Sequence, residues 1–170
     1  YTNILIEVDR TFGNNRDEDA LNAFSDFLEQ KAGFIENKIE ACRFKAFCLY
    51  RLKRNSEALA ALLGSLKYDR PRAELCCDIG KHYLDQEQPQ NAVPWFELAL
   101  TIQRNDASGA FILPDCYDYI PFIQLCVCYD KLGNSDAAEE CNRRAGLLKP
   151  FSPAYQHNKR YFDSKRLKKQ

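Results

Sequence analysis

Four alanines, Ala20, Ala58, Ala92 and Ala138, each stand a few residues into a stretch that opens with polar or turn-forming residues and continues as an apolar helical pattern: RDEDALNAF, NSEALAALL, PQNAVPWFELAL and NSDAAEECNRRA. Their spacings are 38, 34 and 46 residues. A recurrence of this size marks a repeat architecture, in which each unit is one supersecondary motif that buries its apolar face only against its neighbours. The excesses of 4 and 12 over the shortest spacing are what loop insertions add.

The residues around each anchor follow the same period. Twelve places before the alanines stand Val8, Ala46, Gly80 and Cys126, small or modest side chains where two helices of a hairpin approach closely. Three places further on come Leu49, Tyr83 and Tyr129, which fill the gap beside them, and seven places after the anchors come Phe27, Ser65, Ala99 and Ala145. Twelve places after them the text reads Arg70 then Pro71, Arg104, and Pro150, so two of three hairpins end at or beside a proline. The shortest spacing is that of a tetratricopeptide helical hairpin. The pattern predicts helices near 1–12, 18–31, 36–53, 55–68, 72–87, 90–104, 118–132, 135–148 and 153–167. Pro94 lies close enough to the start of its helix that the helix should survive it. The fold expected is all-α: a tetratricopeptide-like, right-handed superhelical solenoid of about four hairpins and a C-terminal capping helix. It forms a single domain over 1–170, with units at about 1–33, 34–70, 71–104 and 118–150, an inserted loop at 105–117 and a cap at 151–170.

Composition narrows the partners. The chain is 45% hydrophobic and 28% charged, with Lys+Arg and Asp+Glu both at 24, so no global field draws it to nucleic acid or a membrane. The last twelve residues carry a net +5. Without an aromatic stacking platform they read as a solvated cap, with Tyr161 and Phe162 covering the last hairpin, rather than a nucleic-acid contact. No apolar run reaches the roughly 20 residues of a membrane helix, and no signal peptide opens the chain. A start at Tyr1 and the absence of Met are expected of an internal or C-terminal piece of something longer. Of the eight cysteines, Cys76 and Cys77 are adjacent and Cys126 and Cys128 are two apart. Cys42, Cys48, Cys76, Cys126, Cys128 and Cys141 all lie inside helical pattern, where a thiol is a small apolar filler. Reduced, structural thiols and a cytoplasmic location follow as expectations.

The stretches RAELCCDIGKHYLDQEQPQNAVPWFELALTIQ (72–103), GAFILPDCYDYIPFIQLCVCYDKLG (109–133) and QHNKRYF (156–162) resemble the C-terminal tetratricopeptide region of bacterial family 2 glycosyltransferases. The resemblance covers about 35–162. It implies a parent enzyme that transfers a sugar from a nucleotide donor through an N-terminal catalytic domain. Its helical tail would serve protein–protein contact, acceptor presentation or self-association. The alternative is a free-standing repeat adaptor unrelated to sugar transfer.

For this chain itself no catalysis is expected. A nucleotide-sugar fold needs alternating strands and helices and an acidic pair on a metal, and no strand pattern is present. Asp17-Glu18-Asp19 has the form of that pair but falls at a predicted helix start, where carboxylates cap free N–H groups and meet the positive end of the dipole. His82 and His157 lie in no zinc-binding spacing, and a mid-helix apolar Cys lacks a base to make it a nucleophile. No metal and no cofactor is expected. The candidates are binding surfaces. The first helix of each hairpin should line the concave face, which places Glu40, Arg43, Phe47, Tyr50 and Arg51 there in the second unit and Glu74, Cys77, Lys81, Leu84 and Asp85 in the third. The fourth unit places Ile123, Val127, Asp130 and Lys131 there. Of these, Arg43, Phe47, Tyr50, Arg51 and Lys81 form a mixed cationic and aromatic patch suited to an extended peptide or to an anionic or sugar-bearing partner. Asp115, Tyr117, Asp118 and Tyr119 of the inserted loop are the second candidate surface, for contact with a catalytic domain of the same protein or with an acceptor protein.

Overall fold

The computed structural model describes residues 14–106 and 111–167. Among the described residues there are eight α-helices, two 3-10 turns and no strand. The helices are α1 (Asn14–Glu29), α2 (Ile35–Arg51), α3 (Asn55–Gly64), α4 (Ala73–Asp85), α5 (Pro89–Thr101), α6 (Tyr119–Lys131), α7 (Ser135–Leu148) and α8 (Pro153–Leu167). The expected helix over 1–12, with Val8, lies outside the described residues. The others begin and end within a few residues of the predicted bounds, and α5 runs through Pro94 unbroken. One helix differs: the 55–68 helix ends at Gly64 and is completed by a 3-10 turn, Ser65–Lys67. There the buried Ser65 hydroxyl donates to the Leu62 carbonyl at 2.7 Å, a local bond that competes with the α-helical ladder and tightens the last turn.

The chain forms two compact units, one built on α1 to α3 and the other on α4 to α8. In the first, α2 packs against both α1 and α3. Its Ile39, Ala41, Cys42, Ala46, Cys48 and Leu49 are buried with Leu21 and Phe24 of α1 and with Ala58 and Leu62 of α3. Phe24 and Phe44 stack with centroids 5.9 Å apart. Lys38 is only 9% exposed. Its ammonium donates to the carbonyls of Gln30 at 2.7 Å and Lys31 at 3.5 Å, just past the end of α1, where unpaired carbonyls and the negative end of the dipole favour a cation.

In the second unit each helix packs on the next, and α4 also touches α6. The anchors Ala58, Ala92 and Ala138 are all fully buried, as are Ala99 and Ala145, while Ala20 is half-buried. Small residues stand twelve places before three of these anchors and larger ones four places after: Ala46 with Leu62, Gly80 with Phe96, Cys126 with Asn142. The contact is explicit at Gly80, where a methyl group would lie 2.7–2.9 Å from the Phe96 ring. At this hairpin the smallest residue is matched to the largest partner, which keeps the two helices closely packed. In the last pair Asn142 is 4% exposed, and its Oδ1 has no hydrogen-bond partner among the described residues.

Among the described residues, the hairpins α2–α3, α4–α5 and α6–α7 turn by one device. The N–H groups of Arg54, Gln88 and Asn134 donate to the carbonyls of Leu49, Tyr83 and Tyr129, and those of Lys53, Glu87 and Gly133 to Tyr50, Leu84 and Asp130. This is the Schellman motif, which needs its penultimate residue in the left-handed region. Lys53, Glu87 and Gly133 have φ of 63°, 56° and 81°, each five places before its anchor alanine.

Helix α8 closes the second unit. Phe162 is buried, while the exposed Tyr161 donates its hydroxyl to Asp130 at 2.8 Å and Lys165 pairs with the same carboxylate at 2.8 Å. The Tyr155 ring lies directly over Gly146 of α7, so a Cβ there would force the ring to shift.

Candidate functional site

The expected surface of the second hairpin is a stripe along α2. Arg43, Phe47, Tyr50 and Arg51 recur at helical spacing, and the helix buries its other sides against α1 and α3. Phe47 is 51% exposed, less so than Phe34, Phe111 and Phe151, and unlike them it stands on the outer stripe of a packed helix beside an arginine. The Arg51 guanidinium lies 5.9 Å from its centroid, within cation–π range. Arg51 also pairs with Asp17 at 3.1 Å, and Arg43 with Glu40 at 2.8 Å, both members of that second pair being largely shielded. Asp17 is 5% exposed in the first turn of α1. Its carboxylate therefore orients Arg51 over Phe47, a use that the reading of Asp17-Glu18-Asp19 as a simple helix cap missed.

Lys81 holds in α4 the place that Phe47 holds in α2. It is exposed and paired with Asp85 one turn on, at 2.7 Å. The rest of that face departs from expectation. Glu74 and Cys77 are not open groove residues: they are 3% and 6% exposed, because the inserted segment lies on them. The buried Glu74 carboxylate accepts the Leu113 N–H at 2.8 Å and the Tyr117 hydroxyl at 3.1 Å. Burial, then Glu74, pushes the Tyr117 hydroxyl up to about 12, so it stays protonated and donates.

The other loop candidates are also engaged within the second unit. Asp115 pairs with Lys149, Asp118 accepts the N–H of Tyr119 at the start of α6, and the Tyr119 hydroxyl bonds to Ser152. The Lys149 ammonium sits 4.9 Å from the Tyr119 ring centroid. These residues fasten the 3-10 turn Pro114–Tyr117 between α4 and the α7–α8 corner.

All eight cysteines are buried and free. Burial pushes the Cys76 and Cys126 thiols up to about 12 and Cys128 to about 11, with nearby acidic groups adding to the first two. Thiols so far above neutral pH carry almost no thiolate and are poor nucleophiles. The neighbouring His82 is buried and its pKa lowered by desolvation. No group of three or more His, Cys, Asp and Glu side chains converges on a metal-sized site among the described residues. No helix there is long and apolar enough to cross a membrane.

Comparison with known proteins accords with this geometry. A tetratricopeptide-repeat family model matches residues 73–106, which span α4, α5 and their turn. Among solved structures the chain is similar to that of MamA, at 20% identity and a TM-score of 0.67, over 89% of this chain and 80% of that one. A weaker likeness, at 17% identity and a TM-score of 0.44 over 86% and 84% of the two chains, is to YrrB, described as a TPR protein with an unusual peptide-binding site. No curated protein matches the sequence. The fold is thus an all-helical, tetratricopeptide-type repeat. The resemblance to family 2 glycosyltransferases finds no counterpart in these comparisons.

Sequence reasoning missed Glu74 as the anchor of the insertion and Gly146 as the seat of Tyr155. A mid-helix glycine such as Gly146 is itself a signal of close approach. Nothing in the local text around Glu74 marks its partners, which lie 39 and 43 residues away.

Proposed function

We propose that this chain is a non-catalytic helical-repeat module that captures an extended peptide or a protein surface. The working surface is the α2 stripe centred on Phe47, with Arg43, Tyr50 and Arg51 around it; Lys81, at the equivalent helical position of α4, is a separate contact belonging to the second unit. The observation that carries this reading is the half-exposed Phe47 ring held under the Arg51 guanidinium. Arginine and aromatic side chains are enriched at protein interfaces, and arginine and tyrosine are among the types that carry most of the binding energy there. Asp115, Tyr117, Asp118 and Tyr119 take the secondary role of holding the insertion in place. The resemblance described above supports a larger reading, in which the module belongs to a bacterial family 2 glycosyltransferase-like protein and serves acceptor presentation or self-association. In that reading the partner is an acceptor protein, another copy, or the protein's own catalytic domain, and neither nucleic acid nor a cofactor takes part. Eight buried free thiols fit a reducing, cytoplasmic setting. A free-standing adaptor would use the same surface.

The test is selection of peptides from a phage-displayed library on the wild-type chain, followed by fluorescence polarisation with the recovered sequences. Phe47→Ala, and Arg43→Ala combined with Tyr50→Ala, should each weaken binding by about tenfold or more while circular dichroism stays unchanged. If these variants bind as well as wild type and substitutions at Asp115, Tyr117 and Asp118 abolish binding, the insertion is the working surface and the α2 assignment fails.

A further inference from the structure

The insertion meets α4 at a second point besides Glu74. The Cys77 thiol donates to the Cys116 carbonyl oxygen at 3.5 Å, and both residues, 6% and 4% exposed, belong to one buried cluster. The Cys77 thiol is held well above its usual range, first by its hydrogen bond with Cys116 and then by burial. We propose that Cys77 and Cys116 are a thiol pair that a low-molecular-weight disulfide can close into a cystine, fastening the inserted segment onto the inner face of α4.

The other thiols lack this setting. Cys42, Cys48, Cys76, Cys126, Cys128 and Cys141 all lie within α-helices. A bridge between two packed helices must satisfy narrow Cα and Cβ distances with rigid elements whose axes are about 8–10 Å apart. Cys116 instead sits in a four-residue 3-10 turn, Pro114–Tyr117, preceded by irregular chain, and can adjust to its partner. The connection is also worth making entropically, because the two residues are 39 apart in sequence and cross-linking a long loop restricts the unfolded chain most.

The chemistry balances with oxidised glutathione as the oxidant. When the insertion lifts, the Cys116 thiol loses its proton and attacks one glutathione sulfur, expelling a glutathione thiolate and leaving a mixed disulfide. Cys77 then loses its proton and attacks the Cys116 sulfur, expelling the second thiolate. Two protein thiols are oxidised, one disulfide is reduced, and the two protons end on the two glutathiones. Burial makes the closed form inert, so the rate is set by lifting of the insertion, and the bond, once formed, holds Tyr117 and Leu113 against Glu74.

The experiment incubates the whole chain with excess oxidised glutathione, counts remaining thiols after denaturation, and maps linked peptides after digestion with trypsin and chymotrypsin. Two of the eight thiols should disappear, recovered with dithiothreitol, in a single intramolecular link between the 76–77 pair and Cys116. Amide exchange at Leu113 should slow by about tenfold or more on oxidation. Cys76→Ala should form the link; Cys77→Ala and Cys116→Ser should not. If the thiol variants fail to fold, the wild-type peptide map alone decides. A link to another cysteine, a link between molecules, or no thiol loss under conditions that oxidise the denatured chain overturns the proposal.

Discussion

At Gly80 the missing side chain is the structure: a methyl group there would already sit 2.7–2.9 Å from the Phe96 ring. Gly80→Leu should therefore destabilise the second unit by about 1–3 kcal/mol, a fall in melting midpoint of about 2–4 °C per kcal/mol in a chain of this size. An unchanged midpoint in differential scanning calorimetry would mean that α4 and α5 are not in this register. Lys53 carries the opposite prospect. It occupies a left-handed position that costs a side-chain-bearing residue about 1 kcal/mol, while Gly133 fills the equivalent place without that cost. Lys53→Gly should raise stability by about 0.5–1 kcal/mol, read from the urea midpoint at constant m-value; a lower midpoint would show that the turn draws something else from the lysine. The contrast shows what was legible at this scale. Steric demands that recur with the period, the anchor alanines and Gly80, are written in residue size. The left-handed turns at Lys53 and Glu87 are not, because two of the three lack the glycine that signals them.

Helices were legible for the same reason: each is an amphipathic stretch with its own stop signal, and α2, α4, α6, α7 and α8 lie within two residues of their predicted bounds. What the elements do to one another was less so. The insertion was readable as a break in the period, but its docking depends on Glu74 accepting bonds from residues about forty places on. A face assigned to a groove by helical phase is therefore closed by the chain's own segment. The α2 stripe was legible from spacing alone, whereas the Asp17 pairing that orients Arg51 is a tertiary contact between helices. At the α7–α8 junction the sign of one substitution separates local from tertiary control. Gly146→Ala in a solvent-facing helix would gain about 1 kcal/mol from helix propensity. Under the Tyr155 ring it should instead cost about 1–3 kcal/mol, with amide protection lost first in α8. A stabilised variant would show that Tyr155 moves aside freely.

Across the whole molecule the thiols supply a built-in reporter, because all eight are buried and their placement is uneven. Cys42 and Cys48 belong to the first unit, and the remaining six to the second. A buried, protonated thiol reacts only through opening of the structure around it, so the rate at each cysteine follows the local unfolding free energy rather than the reagent. A repeat chain held together by nearest-neighbour contacts need not open all at once. Under native, reducing conditions, maleimide labelling over minutes should therefore modify a minority of the thiols. With rising urea the adducts should appear in sets, which mass spectrometry of labelled peptides resolves. Gly80→Leu provides the internal control: it should lower the urea concentration at which Cys76, Cys77, Cys126, Cys128 and Cys141 label, because the Phe96 contact it breaks lies in their shared core. Cys116 lies in the same buried cluster, and it labels with that set only if the insertion does not open on its own. Labelling of Cys116 well below the urea concentration that exposes its neighbours would show that the insertion opens on its own, which is the motion the proposed oxidation uses. Rapid labelling of all eight in native buffer would contradict the packing from which both the fold and the α2 surface are argued.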